Sequence, residues 1–292
     1  MNTFVQIVVS GLTLGAMYAI STIALSLVWG ALGMLNMAQG AFLVVGGYAA
    51  YAAATMFGFS LPVALVFAAL VGGVVGALTY IFLIRFMIEK EGFETSVIIA
   101  TVGLALIFEN FVLQLFGAYP FQQPVRIEGG VNITTTYVPY QNIASLLLAI
   151  AAMVVIGIVL GRTRMGRAIR AVSQSRDAAR LMGVPVNLVY FQVLVLSGAL
   201  AALSGVMLST ITTLAPTMGY DPMLKAFIVC VVAGLGNIYG ALYAAFALGI
   251  FEAAVSYFLG VRFGFPAMLL LIILVLIWRP YGVFGRGAAQ RL

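Results

Sequence analysis

The chain has 292 residues, 64% of them apolar and 8% charged, with a formal net charge of +6 and no histidine. A soluble domain carries roughly 45–50% apolar and about 25% charged residues, so a soluble globular fold is excluded. Without histidine the commonest general base and metal ligand are missing, and the single Cys230, inside an apolar run, supplies neither a disulfide framework nor a thiolate metal site.

The first charged side chain is Arg85, so residues 1–84 hold several membrane spans. The N-terminal stretch has no basic residue before its apolar run and reads as a retained helix rather than a signal peptide. Breaks at Gly, Pro and charge clusters then set off candidate helices near 6–29, 36–56, 62–84, 96–117, 141–161, 187–210, 223–236, 239–259 and 265–279. These runs exceed the roughly 10 residues of a transmembrane strand and do not alternate. The expected fold is all-α: a polytopic bundle of about eight to ten spans with broken or re-entrant helices. It forms one domain, 1–292, with pseudo-halves near 1–161 and 187–285 joined by 162–186. Glycines four apart, Gly11/Gly15, Gly72/Gly76 and Gly236/Gly240, have the spacing that lets helix backbones approach in lipid.

Orientation follows from the basic residues, which concentrate in cytoplasmic loops. Six arginines (162, 164, 167, 170, 176, 180) face one acid, Asp177, and the tail adds Arg279, Arg286 and Arg291. Both segments are expected in the cytoplasm, the C-terminus with them. Counting back puts 118–140, with Arg126 and Glu128, outside, 85–94 inside and the N-terminus outside. The run from Met165 to Pro185 reads as two short helices joined near Ser173–Ser175, the second closed by Gly183 and Pro185. Arg167/Arg170 and Arg176/Arg180 recur at one-turn spacing, with Ile169, Val172, Leu181 and Met182 as the apolar side. Two readings stand: a topology signal among anionic headgroups, or a docking surface for a cytoplasmic partner.

Ionisable side chains inside spans are costly and therefore functional candidates. Glu109 with Asn110, Glu252, and Lys225 with Asp221 qualify, either as anchors between helices or as groups facing a pathway. Asn36 and Gln39, in the break after Gly30 and Gly33, could satisfy freed backbone groups or line a cavity. Asn237 joins the pathway candidates from Gly234-Leu-Gly-Asn-Ile-Tyr-Gly240, whose spacing does not fit a dinucleotide loop. No Gly-x-x-x-x-Gly-Lys-Ser/Thr occurs, so this chain carries no phosphate loop of its own. No catalytic constellation, metal or cofactor is expected.

Four blocks resemble the permease subunits of branched-chain amino-acid ABC importers, in particular the H-type (LivH-like) member. They are Asn36-Met-Ala-Gln-Gly40; Met165-Gly-Arg-Ala-Ile-Arg-Ala through Leu181-Met-Gly-Val; Leu224-Lys-Ala-Phe with Gly234–Ala241 and Gly249-Ile-Phe-Glu-Ala253; and Arg279-Pro-Tyr-Gly-Val-Phe-Gly-Arg286. The first block departs from the family, which usually has His and Glu where Gln39 and Ala41 stand. The resemblance implies a transport subunit, not an enzyme, in the bacterial inner membrane. It would pair with a second homologous permease or a second copy, bind two cytoplasmic ATPase subunits and receive solute from a periplasmic binding protein, with lipid and no nucleic acid as further partner. Arg164, Arg167, Arg170, Arg176, Asp177, Arg180, Leu181, Met182 and Gly183 would then contact the ATPases. The solute would be a branched-chain amino acid or a related small polar molecule. The alternatives are a urea, amide, aromatic-acid or hydroxy-acid importer, or an ion-coupled transporter.

Overall fold

The computed structural model describes residues 2–88, 92–124, 127, 129–133 and 136–285. Among them run eleven α-helices: α1 (Asn2–Leu32), α2 (Gln39–Phe57), α3 (Leu61–Phe82), α4 (Phe93–Phe116), α5 (Tyr140–Arg162), α6 (Arg164–Gln174), α7 (Arg176–Leu181), α8 (Val186–Ile211), α9 (Tyr220–Ala233), α10 (Ile238–Phe258) and α11 (Gly264–Trp278). Between α4 and α5 a small antiparallel hairpin, β1 (Gly130–Ile133) and β2 (Thr136–Pro139), pairs Gly130 with Pro139 and Ile133 with Thr136. Eight helices are long and apolar enough to cross a membrane, so the expected polytopic helical bundle is the fold observed. Arg126, Glu128, Arg286 and Arg291 lie outside the described residues.

The short helix expected at 223–236 is observed three residues earlier, as Tyr220–Ala233. This helix, α9, has 14 residues, about 21 Å at 1.5 Å per residue, against the roughly 30 Å of a hydrocarbon core. The apolar run ends in a turn rather than a helix, because Gly234 and Gly236 take φ of 96° and 83°, where a side chain would be strained. The chain nevertheless runs from one end of the bundle to the other here. After α8 the 212–219 segment returns to mid-depth, and α9 completes the passage alongside α1, with Thr22 Oγ1 donating to the Ala226 carbonyl and Ser26 meeting Cys230 Sγ at 3.2 Å.

The bundle has two ends. At one, the close of α1, the start of α4, the close of α5, α6, the α9–α10 turn and the tail line a single cleft that includes Gly33, Phe93, Leu160, Arg170, Asn237 and Phe284. At the other, Thr3 meets Tyr257, Gln141 bonds Thr210, and Phe121 pairs with Leu214 across the 118–140 segment. The arginine-rich segment and the 118–140 segment therefore occupy opposite ends.

Helices α1–α4 and α8–α11 follow one pattern in opposite directions: a long helix, a break, a second helix that starts at mid-depth, then two spans. They pack reciprocally, α1 antiparallel along α10 and α8 antiparallel along α3. Glycine permits both contacts. A Cβ on Gly249 would lie 2.5 Å from the Gly15 nitrogen, one on Gly198 2.2 Å from the Gly72 oxygen, and one on Gly76 2.1 Å from the Leu194 oxygen. Gly236 and Gly240 do not form such a seam: Gly236 sits in the turn against Gly30, and Gly240 faces Phe284 of the tail. At the centre, α1 and α8 are apolar almost all round, as buried helices are. Hydroxyl contacts cross between them, including Ser21 with Ser204 at 2.6 Å and Ser197 to the Ala24 carbonyl at 3.0 Å.

Candidate functional site

Two interrupted helices meet at mid-depth. Gly33, at φ 68°, closes α1 by donating to the Trp29 carbonyl. In the turn that follows, Asn36 Oδ1 accepts from the Ala38 N–H at 3.1 Å, and the Met37 N–H donates to Thr101 Oγ1 of α4 at 3.1 Å. Gln39 then opens α2 and accepts from Ser197 Oγ at 3.2 Å, about 16 Å along α8 from its start. The second interruption, with Pro216, Gly219 and Pro222, opens α9, where proline is tolerated in the first turn. The two openings touch backbone to backbone, since a Cβ on Gly219 would lie 2.1 Å from the Gly40 oxygen.

A narrow groove runs along this junction, lined by Met37, Gly40, Ala105, Glu109, Gly219 and Tyr220 among others. Its cavity is about 20 Å³, room for one water-sized group. Glu109, on α4, is half-buried and accepts a hydrogen bond from the Tyr220 hydroxyl. Beside the groove the surface is mixed: Asn110, Gln114, Thr217, Tyr220 and Asp221 are exposed among Leu106, Phe111, Leu113 and Leu224. Asn110 spends one amide hydrogen on the Leu106 carbonyl of its own helix, at 2.8 Å. The exposed residues of α3, of α11 and of α5 from Ile143 to Ile158 are apolar without exception apart from small ones. Hydrocarbon tolerates those faces and penalises the α4–α9 face, which calls for protein or water against it.

The other pathway candidates sit elsewhere. Asn36 and Gln39 are each 1% exposed, and their Nδ2 and Nε2 atoms have no partner among the described residues. Lys225 and Glu252 neutralise one another at 2.6 Å, and Tyr18 completes the cluster: its hydroxyl donates to Glu252 Oε2 at 2.5 Å and accepts from Lys225 at 3.2 Å. This triad ties α1, α9 and α10 together, the anchoring alternative stated for Glu252. Asn237 caps α10 by accepting from the Gly240 N–H at 2.9 Å, and its Nδ2 donates to the Phe284 carbonyl. Its amide is engaged in joining the α9–α10 turn to the tail.

The arginine-rich segment folds as two short helices with Ser175 between them. Thr163 caps α6 by accepting from the Gly166 N–H, and Ser175 caps α7 by accepting from Ala178. Gly183, at φ 79°, closes the second. The apolar side divides in two. Ile169 and Val172 are buried against the bundle, whereas Leu181 and Met182 stand 88% and 84% exposed at the tip. The arginines divide similarly. Arg170 reaches back to the Leu160 carbonyl, and Arg176 donates to the Ile88 carbonyl at 3.2 Å with its guanidinium over the Tyr190 ring. Arg164, Arg167, Asp177, Arg180 and Gly183 are exposed. The element is thus held to the body by two arginines and presents an apolar tip with charge around it.

Sequence reasoning did not single out Tyr18, Tyr220 or Ser197. A tyrosine in an otherwise apolar span, such as Tyr18, is the one signal available, because a buried hydroxyl needs a partner. Nothing local in the chain says that this partner lies 234 residues away.

Comparison with known proteins places these features. The family described as branched-chain amino acid transport system permease component matches residues 7–278. The chain is 29% identical to the high-affinity branched-chain amino acid transport system permease protein LivH of Escherichia coli K12, over 99% of this chain and 98% of that one. It is 26% identical to the corresponding protein BraD of Pseudomonas aeruginosa, again over 99% and 98%. A probable branched-chain amino acid transport permease protein of Methanocaldococcus jannaschii is 30% identical over 86% of this chain and 82% of its own length.

Proposed function

The chain belongs to the branched-chain amino acid transport system permease family, and from that premise we propose that it is the membrane-spanning half of an ATP-driven importer for branched-chain amino acids. It works with a second permease, homologous or identical, with two ATPases and with a soluble binding protein that delivers the solute. It contains no phosphate loop, so the energy enters through its partners. The arginine-rich end is the cytoplasmic one, which sets the C-terminus inside and the N-terminus and the 118–140 segment outside, in a bacterial inner membrane.

The observation that carries this reading is the α6–α7 tip. A pair of large apolar side chains held almost fully in water, on an element anchored from behind by Arg170 and Arg176, is the form of a docking knob rather than of a headgroup-lying helix, whose apolar residues would face lipid. The mixed α4–α9 face, in turn, is the surface for the second permease, with the solute path between them and Glu109, Asn110, Tyr220 and Asp221 along it. Lys225, Glu252 and Asn237 support that path from behind.

Replacing Leu181 and Met182 together by Asp tests the proposal. The variant is expected to insert normally and to lose its ATPases on purification, with coupled ATP hydrolysis down at least about tenfold, as removal of two buried anchors implies. Full co-purification and full coupled hydrolysis would overturn it. Arg170→Glu with Arg176→Glu is the less specific variant, because those side chains hold the element itself.

A further inference from the structure

The groove at the α2–α9 junction contains a carboxylate, Glu109, without a cation among the described residues. At this depth, among the described residues, three carboxylates, Glu109, Asp221 and Glu252, accompany one lysine, Lys225, which is paired with Glu252 at 2.6 Å. Glu109 has the Tyr220 hydroxyl as its hydrogen-bond partner, and a hydroxyl delocalises charge without neutralising it. A carboxylate held part-way across a membrane marks a functional site by default, and what it lacks here is a positive partner.

The dimensions narrow the identity of that partner. A cavity of about 20 Å³ has room for one water-sized group. A primary ammonium has that size and brings three donors, enough for the free oxygen and lone pairs of Glu109. The remaining walls, Met37, Ala41, Val44, Ala105, Pro216 and Met223, are apolar and suit the aliphatic part of the same molecule.

We infer that Glu109, oriented by Tyr220, receives the α-ammonium group of a zwitterionic amino acid as it passes through the membrane. This rests on the reading of the chain as an amino-acid permease and adds a selection step to it, made by the permease as well as by the binding protein. Glu109 supplies the charge. Tyr220 is a positioning residue that fixes the carboxylate rotamer and leaves one oxygen free.

The test uses the complete importer in lipid nanodiscs without its binding protein, with saturation-transfer NMR of three probes at millimolar concentration: leucine, 3-methylbutylamine, which keeps the ammonium, and 4-methylpentanoate, which keeps the carboxylate. The wild type is expected to give signals from leucine and the amine, with 4-methylpentanoate weaker by about tenfold, the value of one charge-assisted hydrogen bond. Glu109→Gln should lower the leucine and amine signals to the level of 4-methylpentanoate, Glu109→Asp should restore most of them, and Tyr220→Phe should keep the amine signal within about threefold. An undiminished amine signal in Glu109→Gln, a 4-methylpentanoate signal equal to the amine's, or a loss in Tyr220→Phe as large as in Glu109→Gln would overturn the assignment. The functional reading is checked separately. If the wild-type importer with its binding protein moves no branched-chain amino acid, that reading fails; if it does, and amine binding ignores Glu109, only the ammonium site fails.

Discussion

The two helix interruptions of this chain touch one another and have opposite surroundings. At the first, residues 33–38, the polar side chains turn inward: Asn36 and Gln39 are sealed from the surface and serve the backbone and α8. At the second, residues 212–219, the polar groups turn outward, with Thr212, Thr213, Thr217, Tyr220 and Asp221 exposed beside Glu109 of α4. Freed backbone groups at membrane depth must be satisfied in both places, but only the second leaves polarity facing out of the subunit. A polar residue at a helix break therefore does not by itself identify a solute path, and the proposed path follows the exposed break. The two breaks are joined where Gly40 meets Gly219, so the sealed one serves as the wall against which the open one is set.

Separating the breaks should have the largest effect. In Gly219→Val the new Cβ would lie 2.1 Å from the Gly40 oxygen, a contact with backbone that no rotamer relieves. The expected cost is above roughly 4 kcal/mol, seen as loss of the monodisperse peak in size-exclusion chromatography of the detergent-solubilised protein. Gly103→Ala, where a methyl would meet open space, should elute as wild type. An intact, monodisperse Gly219→Val protein would mean that the two half-helices are not in backbone contact.

The same comparison shows how far the sequence could be read. Spans, sided charge and the two-helix arginine element were legible because long apolar runs, Gly and Pro breaks and Ser or Thr caps are local signals, and the family resemblance rested on those same segments. The short length of α9 was legible too, but its bounds were not, since the apolar run continues through Gly234-Leu-Gly236 and the positive φ values of these two glycines end the helix at Ala233. The hairpin at 130–139 left no trace in a loop read only by its charge. Which polar residues face outward was not legible at all: Gln39 and Glu109 both stand at helical positions among apolar neighbours, and their burial depends on helices far away in the chain.

An intermediate effect is expected where the second break is held from behind. Lys225→Met leaves the Glu252 carboxylate, 6% exposed, without its cation, and only Tyr18 remains to bond it. Stranding one member of a buried pair costs about 3 kcal/mol, whereas replacing both by apolar residues is often neutral. Thermal unfolding in one detergent should therefore show a clear drop in Tm for Lys225→Met and recovery of most of it in Lys225→Met with Glu252→Met and Tyr18→Phe, the last removing the hydroxyl that bonds both partners. A triple variant no better than the single one would show that the pair sets the position of α9 by more than mutual neutralisation.

The smallest effect belongs to the sealed break. Gln39→Leu removes the hydrogen bond from Ser197, but that hydroxyl keeps the Ala24 carbonyl at 3.0 Å, so no new buried donor is stranded. The substitution also removes the Nε2 group, which has no partner among the described residues, and the two changes offset each other. The net cost should be about 1 kcal/mol or less. Uptake by the reconstituted importer, driven by its loaded binding protein, should stay within about twofold of wild type if the solute follows the proposed α4–α9 path, because leucine replaces glutamine at a sealed position. Measured beside Glu109→Gln, this variant decides between the two breaks. A slow Gln39→Leu and a normal Glu109→Gln would place the solute at the first interruption and reverse the assignment of wall and path.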